Sequence, residues 1–218
     1  MKKIIELLHF KHKTFWTKEH IVSLFFSIGL LIIALFIQRI ADSYVVKTGG
    51  IAVGDILLSN IPVIDIDGFI IMITLVFTFL MVIVIFSKPK YILFTIKSLA
   101  LFVIIRSFFI SLTHLGIHPH EITFDENIFG FWLYDLLFDS RNDFFFSGHT
   151  GVPFLIGMII YNEKFWRNIC FLMSFILGIS VIIGHIHYSI DVFSAPFMTY
   201  SIYSISKKLF KKDYKLTT

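Results

Sequence analysis

The chain has 218 residues, of which 56% are hydrophobic and 27 are phenylalanine, and its mean hydropathy is +0.83. Soluble domains contain about 45–50% apolar residues, so this composition excludes an ordinary soluble protein and indicates a single membrane domain over residues 1–218. The net charge of +4 does not indicate a nucleic-acid partner, because the lysines lie beside apolar runs, where anionic lipid headgroups account for them.

Apolar segments long enough to cross a bilayer recur along the chain. About 20 apolar residues span the hydrocarbon core as a helix. That rule predicts an all-α bundle of six transmembrane helices, at residues 19–41, 67–87, 91–115, 147–162, 166–184 and 188–206. The longest polar connection runs from His118 to Phe144, which is long enough to be a functional loop.

The positive charges are distributed unevenly between the two sides of this bundle. If both termini share one side, only four of the 19 Lys and Arg residues lie on the other: Arg39, Lys47, Arg106 and Arg141. The positive-inside rule therefore predicts a multi-pass protein with both termini in the cytoplasm. Six of the nine histidines and most acidic residues gather on the opposite, outer or lumenal, side. Titratable residues at a membrane edge indicate a functional site there.

Two polar segments open predicted spans on that side, at residues 143–150 (DFFFSGHT) and 185–191 (HIHYSID). A helix N-terminus presents free N–H groups and a partial positive charge, so each segment is a candidate anion site. His187 and Asp191 are four residues apart and share one helix face, where the carboxylate can fix the tautomer of a nucleophilic or general-base imidazole. His149 supplies a second imidazole, suited to proton transfer.

Arg106 lies in the outer half of the third predicted span, where its charge is costly unless it is paired. Its planar fork matches phosphate oxygens, so we predict a phosphate-binding role together with Ser147 and Gly148. Structural alternatives stay open for each residue. Arg106 can bridge to Asp143 or Asp65, Ser147 can serve only as a helix cap, and a membrane histidine can serve only as an interhelical hydrogen-bonding group.

The same residues carry a resemblance to a known family. Residues 143–150 and the run His187-Tyr188-Ser189-Ile190-Asp191-Val192 resemble two signature motifs of the sphingomyelin synthases, a branch of the type-2 phosphatidic acid phosphatase superfamily. The stretch from Arg106 to Pro119 is similar to a third motif, and residues 61–65 are faintly similar to a fourth. The similarity covers about residues 60–200.

This resemblance implies a six-span lipid phosphatase or phosphotransferase with the catalytic triad His149, His187 and Asp191. It implies a phospholipid donor, and either a lipid alcohol or water as acceptor, with a phosphohistidine intermediate. Asp143, His185 and Tyr188 take supporting roles, and no cofactor or metal is implied. The chain departs from the synthases at Arg141 and at Asn142.

Other interpretations remain open at this stage. The chain is also compatible with a polyprenyl-diphosphate or phosphatidic acid phosphatase, or with a non-enzymatic lipid-binding protein or scramblase on the same scaffold. His114, His118, His120 and Glu121 have a spacing that a zinc site can use, although an interfacial loop explains it equally well. Aromatic residues around the site are typical of an interfacial belt and can also guide acyl chains: Phe129, Phe131, Trp132, Phe144, Phe145 and Phe146.

Overall fold

The computed structural model describes residues 10, 12–113, 115–138 and 144–218. Its helices are α1 (Lys18–Thr48), α2 (Asp67–Phe86), α3 (Ile92–Leu112), α4 (Phe131–Phe138), α5 (Gly148–Ile159), α6 (Lys164–Ile183), α7 (Ser189–Leu209) and α8 (Lys211–Thr217). A 3₁₀ turn, Pro89–Tyr91, precedes α3. The described residues contain no β-strand, only an isolated bridge between Ile51 and Leu115. The prediction of an all-α fold is confirmed.

Helices lie at all six predicted span positions, but they differ in length and polarity. Within the described residues, four are long and apolar enough to cross a membrane: α1, α2, α3 with its preceding 3₁₀ turn, and α6. Helix α5 has 12 residues, about 18 Å at 1.5 Å per residue, which is shorter than a hydrocarbon core of about 30 Å. Helix α7 has 21 residues but carries many hydroxyl side chains. The protein is an integral membrane protein, and the count of six spans stays a prediction.

Local sequence explains where α1 begins and ends. The Thr17 hydroxyl accepts a hydrogen bond from the His20 N–H at 3.3 Å, and Glu19 places a negative charge in the first turn. The helix ends at Gly49, whose φ of +66° is a conformation that glycine adopts without strain. With 31 residues, α1 extends beyond the thickness of a hydrocarbon core.

Helix α3 is the most buried of the four candidate spans and forms the centre of the bundle. Helix α1 packs along α3, while α5 packs against α6 and α7. The C-termini of α3 and α6 meet the N-termini of α5 and α7 at one end of the bundle. We call this the site end, because the predicted catalytic residues lie there.

A buried ion pair closes the other end of the bundle. Lys97 Nζ donates to the Ser23 hydroxyl at 2.7 Å and to the Asp213 carboxylate at 2.5 Å, which joins α3 to α1 and α8. Lys97 lies nine residues before Arg106 on α3, about 14 Å along the axis. Lys97 therefore anchors the C-terminal helix and takes no part in the site around Arg106.

Candidate active site at the junction of helices α3, α5 and α7

The segment that enters α5 has a strained backbone. Phe145 and Phe146 have φ angles of 131° and 34°, in a region that favours glycine. Two side chains hold the carbonyls of this segment: the Thr113 hydroxyl donates to Phe144 O at 2.9 Å, and Arg106 Nε donates to Phe146 O at 3.1 Å. Non-glycine residues persist in such conformations only where their surroundings enforce them, and they cluster at functional sites. The strain here sets the direction in which α5 begins.

The N-termini of α5 and α7 are joined directly. The Ser147 N–H donates to the carbonyl oxygen of Asp191 at 2.9 Å. The Ser147 hydroxyl is fully buried, makes no capping bond to α5, and has no hydrogen-bond partner among the described residues. The Ser147 side chain therefore does not cap α5, contrary to the alternative in which Ser147 serves only as a helix cap. Its hydroxyl is a buried polar group next to the residues that line the site, and its phosphate-binding role stays a prediction.

His187 and Asp191 form the pair that their spacing predicts. The His187 Nδ1 lies 3.4 Å from the Asp191 Oδ2, and the Tyr188 N–H donates to the same oxygen at 3.2 Å. Asp191 is fully buried, and its Oδ1 has no partner in the described part of the chain. With Nδ1 directed at a carboxylate, the proton of a neutral ring resides there, and Nε2 keeps its lone pair. This is the arrangement that a nucleophilic histidine requires.

The second imidazole faces the first across a short gap. The ring centroids of His149 and His187 are 5.9 Å apart, at an interplanar angle of 65°. His149 Nε2 lies 2.7 Å from the hydroxyl of Tyr134, a fully buried residue of α4. Sequence reasoning missed Tyr134, because nothing in its local pattern distinguishes it from the aromatic residues around it.

Arg106 lies against the first turn of α5. A methyl group placed on Gly148 would lie 3.6 Å from Arg106 Cζ, so the guanidinium is in contact range of the helix N-terminus. Arg106 is almost fully buried. Asp143, one predicted partner, lies outside the described residues, and Asp65, the other, accepts a hydrogen bond from the Asp67 N–H at 3.4 Å. A guanidinium beside free N–H groups is suited to bind a phosphoryl group.

A cavity of about 920 Å³ opens at these residues and continues between the helices. Arg106, Gly148, His149 and His187 line one end of it. Apolar side chains of α1, α2, α3 and α5 form a large part of its other walls: Leu31, Leu35, Phe77, Met81, Val82, Ile85, Leu99, Phe102, Val152 and Ile156. Residues of the loop 117–126 and of α4 also line it, among them His118, Glu121 and Glu126. The cavity thus has a charged and imidazole-lined end and a long apolar body, which matches an amphiphile better than a free phosphate ion.

The loop between α1 and α2 supports the start of α7. The Asp55 carboxylate accepts hydrogen bonds from the Ser189 N–H at 2.7 Å and from the N–H groups of Leu57 and Leu58. Burial opposes ionisation of Asp55, but these hydrogen bonds outweigh it and lower the pKa of the carboxyl. The Tyr188 hydroxyl accepts from Val53 N–H and donates to Gly116 O at 2.8 Å. These two bonds hold Tyr188 against the loops that follow α1 and α3, and its supporting role in catalysis stays a prediction. Asp55 was not identified from the sequence.

Three histidines gather beside this loop. The rings of His118 and His185 meet edge to face at 4.8 Å, and His118 lies 5.8 Å from His120. Burial and the neighbouring imidazoles lower the pKa of both His118 and His185. Within the described residues, no group of three or more His, Cys, Asp or Glu side chains is arranged to hold a metal ion, and His114 lies outside them. This cluster lies beside the loop before His187, and His118 also lines the cavity described above.

Comparison with known proteins agrees with this geometry over the C-terminal third of the chain. Residues 142–208 match the family model described as PAP2 superfamily C-terminal. The match includes His149, His187 and Asp191 but not Arg106. No curated protein and no solved structure matches the chain. The sphingomyelin synthase-like branch stays a prediction, and the match supports the type-2 phosphatidic acid phosphatase superfamily, whose members are lipid phosphatases and phosphotransferases.

Proposed function

We propose that this protein is a membrane lipid phosphatase or phosphotransferase that acts through a phosphohistidine. The observation that carries the proposal is the pair of imidazoles at 5.9 Å, placed at the charged end of a largely apolar cavity. One imidazole is held by a buried carboxylate, as a nucleophile requires, and the other lies beside it and lines the same cavity. We further propose that this end lies at the outer or lumenal face, as the lysine distribution predicts.

In the first step, His187 Nε2 attacks phosphorus and forms a P–N bond while the P–O bond to the leaving alkoxide breaks. His149 donates a proton to that alkoxide, which leaves as a neutral alcohol. Asp191 stabilises the charge that develops on His187. Arg106 and the N–H groups at the start of α5 stabilise the charge on the phosphoryl oxygens, a contribution that is usually large in such reactions.

In the second step, an acceptor hydroxyl attacks the phosphohistidine. His149 takes the proton of the acceptor, the new P–O bond forms, and the P–N bond breaks to restore His187. A lipid alcohol as acceptor gives a phosphotransferase of the sphingomyelin synthase type. Water as acceptor gives a phosphatase, and the same chemistry serves phosphatidic acid or a polyprenyl diphosphate.

The apolar body of the cavity supports a lipid substrate. Along α2, its lining runs from Thr74 to Ile85, twelve residues that span about 16 Å. Along α3 it runs from Arg106 back to Leu99, about 10 Å. A hydrocarbon chain in this space would place a headgroup phosphate beside Arg106 and the two histidines.

A panel of labelled lipids on purified protein tests this proposal. Released headgroup would identify a phosphatase, and a new labelled lipid would identify a phosphotransferase. The panel includes phosphatidylcholine with ceramide or diacylglycerol as acceptor, phosphatidic acid and a polyprenyl diphosphate. His187→Ala is the control for each product. The opposite result would be lipid movement between leaflets with no product, at the same rate in His187→Ala. That result would favour a scramblase on the same scaffold and overturn the proposal.

A further inference from the structure

Helix α4 has two faces with different surroundings. Phe131, Tyr134 and Phe138 recur at helical spacing and point toward the protein, where Tyr134 packs with Ile70, Ile71 and Ile122. The outward face carries exposed apolar side chains together with one exposed carboxylate, Asp135. The exposed fractions of its large apolar side chains are 69% for Trp132 and 64% for Leu136, and Phe129 just before the helix is 86% exposed. A face of this kind requires an apolar environment to cover it.

The neighbouring helix identifies that environment. The start of α4 approaches α2 so closely that a methyl group on Gly130 would lie 2.8 Å from Leu75 Cδ1. Helix α2 is a candidate membrane span, and its side chains Phe69, Val76 and Phe79 are exposed on the surface that a bilayer would cover. The open face of α4 continues this lipid-facing surface at the site end of α2. Tryptophan is one of the residues that accumulate at the level of the lipid headgroups.

The inner face of α4 contacts the active site. Tyr134 places its hydroxyl 2.7 Å from His149 Nε2, and its ring stacks on the imidazole with centroids 5.9 Å apart. Phe138 flanks the same imidazole at 6.4 Å. One short helix therefore touches both the lipid-facing surface of the bundle and the imidazole that transfers protons in the proposed reaction.

We propose that α4 docks on the membrane leaflet at the site end through Phe129, Trp132 and Leu136, and that this docking holds Tyr134 against His149. Tyr134 is then a positioning residue: it orients the His149 ring toward the leaving and acceptor oxygens. The role given to Tyr134 rests on the proposed function. The docking of α4 is independent of the proposed function, because it depends only on the exposed apolar face and its continuity with α2.

Fluorescence quenching tests the docking without any reaction. The chain has three tryptophans, and Trp16→Phe with Trp166→Phe leaves Trp132 as the only emitter. The protein is reconstituted into phosphatidylcholine vesicles that carry bromine either near the headgroup or near the chain end. We expect strong quenching of Trp132 by the shallow bromine and weaker quenching by the deep one. Absence of quenching by both lipids would show that the leaflet does not cover α4 and would overturn the proposal.

Leaving-group dependence tests the coupling to His149. Tyr134→Phe removes one hydroxyl and keeps the ring, and Trp132→Gln with Leu136→Gln makes the outer face polar. We expect each variant to lower turnover of an alkyl phosphoester lipid by about tenfold, which is less than the loss of about a hundredfold or more expected when the general acid itself is removed, because His149 is still present. Phosphorylation of the protein by an aryl phosphoester, whose leaving group needs no proton, should keep its rate. In the variant that combines Tyr134→Phe, Trp132→Gln and Leu136→Gln, the fold-loss of turnover should be smaller than the product of the two separate fold-losses. All three substitutions act on one contact, so their effects are not independent.

Matched variants separate these effects from general damage. Phe108→Gln with Leu112→Gln changes two exposed residues with the same spacing at the site end of α3, and it should leave both reactions unchanged. Trp132→Phe with Leu136→Met keeps the outer face apolar and should retain turnover. Tyr203→Phe removes a buried hydroxyl far from the site and controls for Tyr134→Phe.

Three results would overturn the coupling: equal losses with alkyl and aryl esters in Tyr134→Phe, normal turnover in the polar-face variant, or fully multiplicative losses in the combined variant. If the unaltered protein reacts with neither ester, the proposed function and the role of Tyr134 fail together. The quenching result then still decides the docking of α4.

Discussion

The Ser147 amide donates a hydrogen bond to the backbone carbonyl of Asp191 at 2.9 Å, and this bond joins the first turns of α5 and α7. It brings together two segments that are separated by about forty residues and that each carry a predicted catalytic histidine. The relative position of His149 and His187 therefore depends on a backbone contact that no single substitution of a side chain removes. Changes at neighbouring side chains are better probes of the site, and the predictions below use them.

Arg106→Lys is expected to lower turnover on the order of a hundredfold while the protein still accumulates in the membrane. A lysine ammonium cannot both hold the Phe146 carbonyl, to which Arg106 Nε donates, and present a planar fork to phosphate. Arg39→Lys, on the exposed surface of α1, is the matched control. Near-native turnover of Arg106→Lys on the lipid substrate would place Arg106 outside the site.

Substitution by alanine should have different effects at two glycines of α5. In Gly148→Ala the added methyl group meets Arg106 Cζ at 3.6 Å, an ordinary contact, so the fold should be kept but the space for an anion reduced. We expect weaker inhibition by orthovanadate, a phosphate analogue, and lower turnover. In Gly151→Ala the methyl group would lie 2.8 Å from Phe102 Cζ, so we expect a loss of about 1–3 kcal/mol in stability.

The contrast between these variants is the test. Thermal unfolding in detergent should fall for Gly151→Ala and stay close to the parent for Gly148→Ala. Unchanged vanadate inhibition in Gly148→Ala would contradict the anion site at the start of α5.

Acidification is expected to destabilise the loop before His187. The pKa of His185 and of His118 is lowered in the folded protein by burial and by the neighbouring imidazoles, against the opposing effect of Asp55. The folded state then binds fewer protons than the unfolded state, so the stabilisation is complete above the ordinary pKa of about 6.5 and is lost as pH falls below it. His120 is the third imidazole of this cluster and adds to the repulsion.

The His185→Asn variant measures this dependence. His185 has a φ of +55°, and asparagine tolerates that conformation better than most residues, so the backbone is preserved while the titrating group is removed. The unfolding temperature of the variant should fall less than that of the parent between about pH 7.5 and about pH 5.5. His20→Asn, near the start of α1, is the control. If the unfolding temperature fell equally in parent and variant, His185 would not be the cause of the pH dependence.

The lysine distribution predicts that the loop containing Asn127 lies outside the cell or in a lumen. The native cysteine, Cys170, is buried, so an engineered Asn127→Cys can be labelled selectively by an impermeant reagent. We expect labelling of Asn127→Cys on intact cells and protection of Thr218→Cys until the membrane is opened. The reverse pattern would invert the proposed topology.

The sequence predicts those parts of the site that depend on local spacing. The His187–Asp191 pair follows from residues four apart on one helix, and helix starts at Gly148 and Ser189 follow from the polar segments before apolar runs. Helix length was predicted less well at α5, because the apolar run is interrupted by the turn after Ile159 that leads into α6.

Contacts between distant loops account for what was missed. Tyr134 reaches His149 from a helix in the loop preceding α5, and Asp55 reaches Ser189 across 134 positions of the chain. Neither residue lies in a periodic pattern that identifies its partner. Their roles depend on how the loops fold over the bundle, and this information is not present in local sequence spacing.

Formation of a covalent phosphoenzyme is the most direct test of the central claim that His187 is the nucleophile. A P–N bond is labile in acid and persists in base, and His149 serves the leaving and acceptor alcohols rather than the first attack on an activated ester. With a labelled aryl phosphoester, His149→Ala should therefore accumulate an acid-labile, base-stable label, Asp191→Asn should acquire it slowly, and His187→Ala should acquire none. The same label on His187→Ala, or turnover that is unchanged in that variant, would contradict the account.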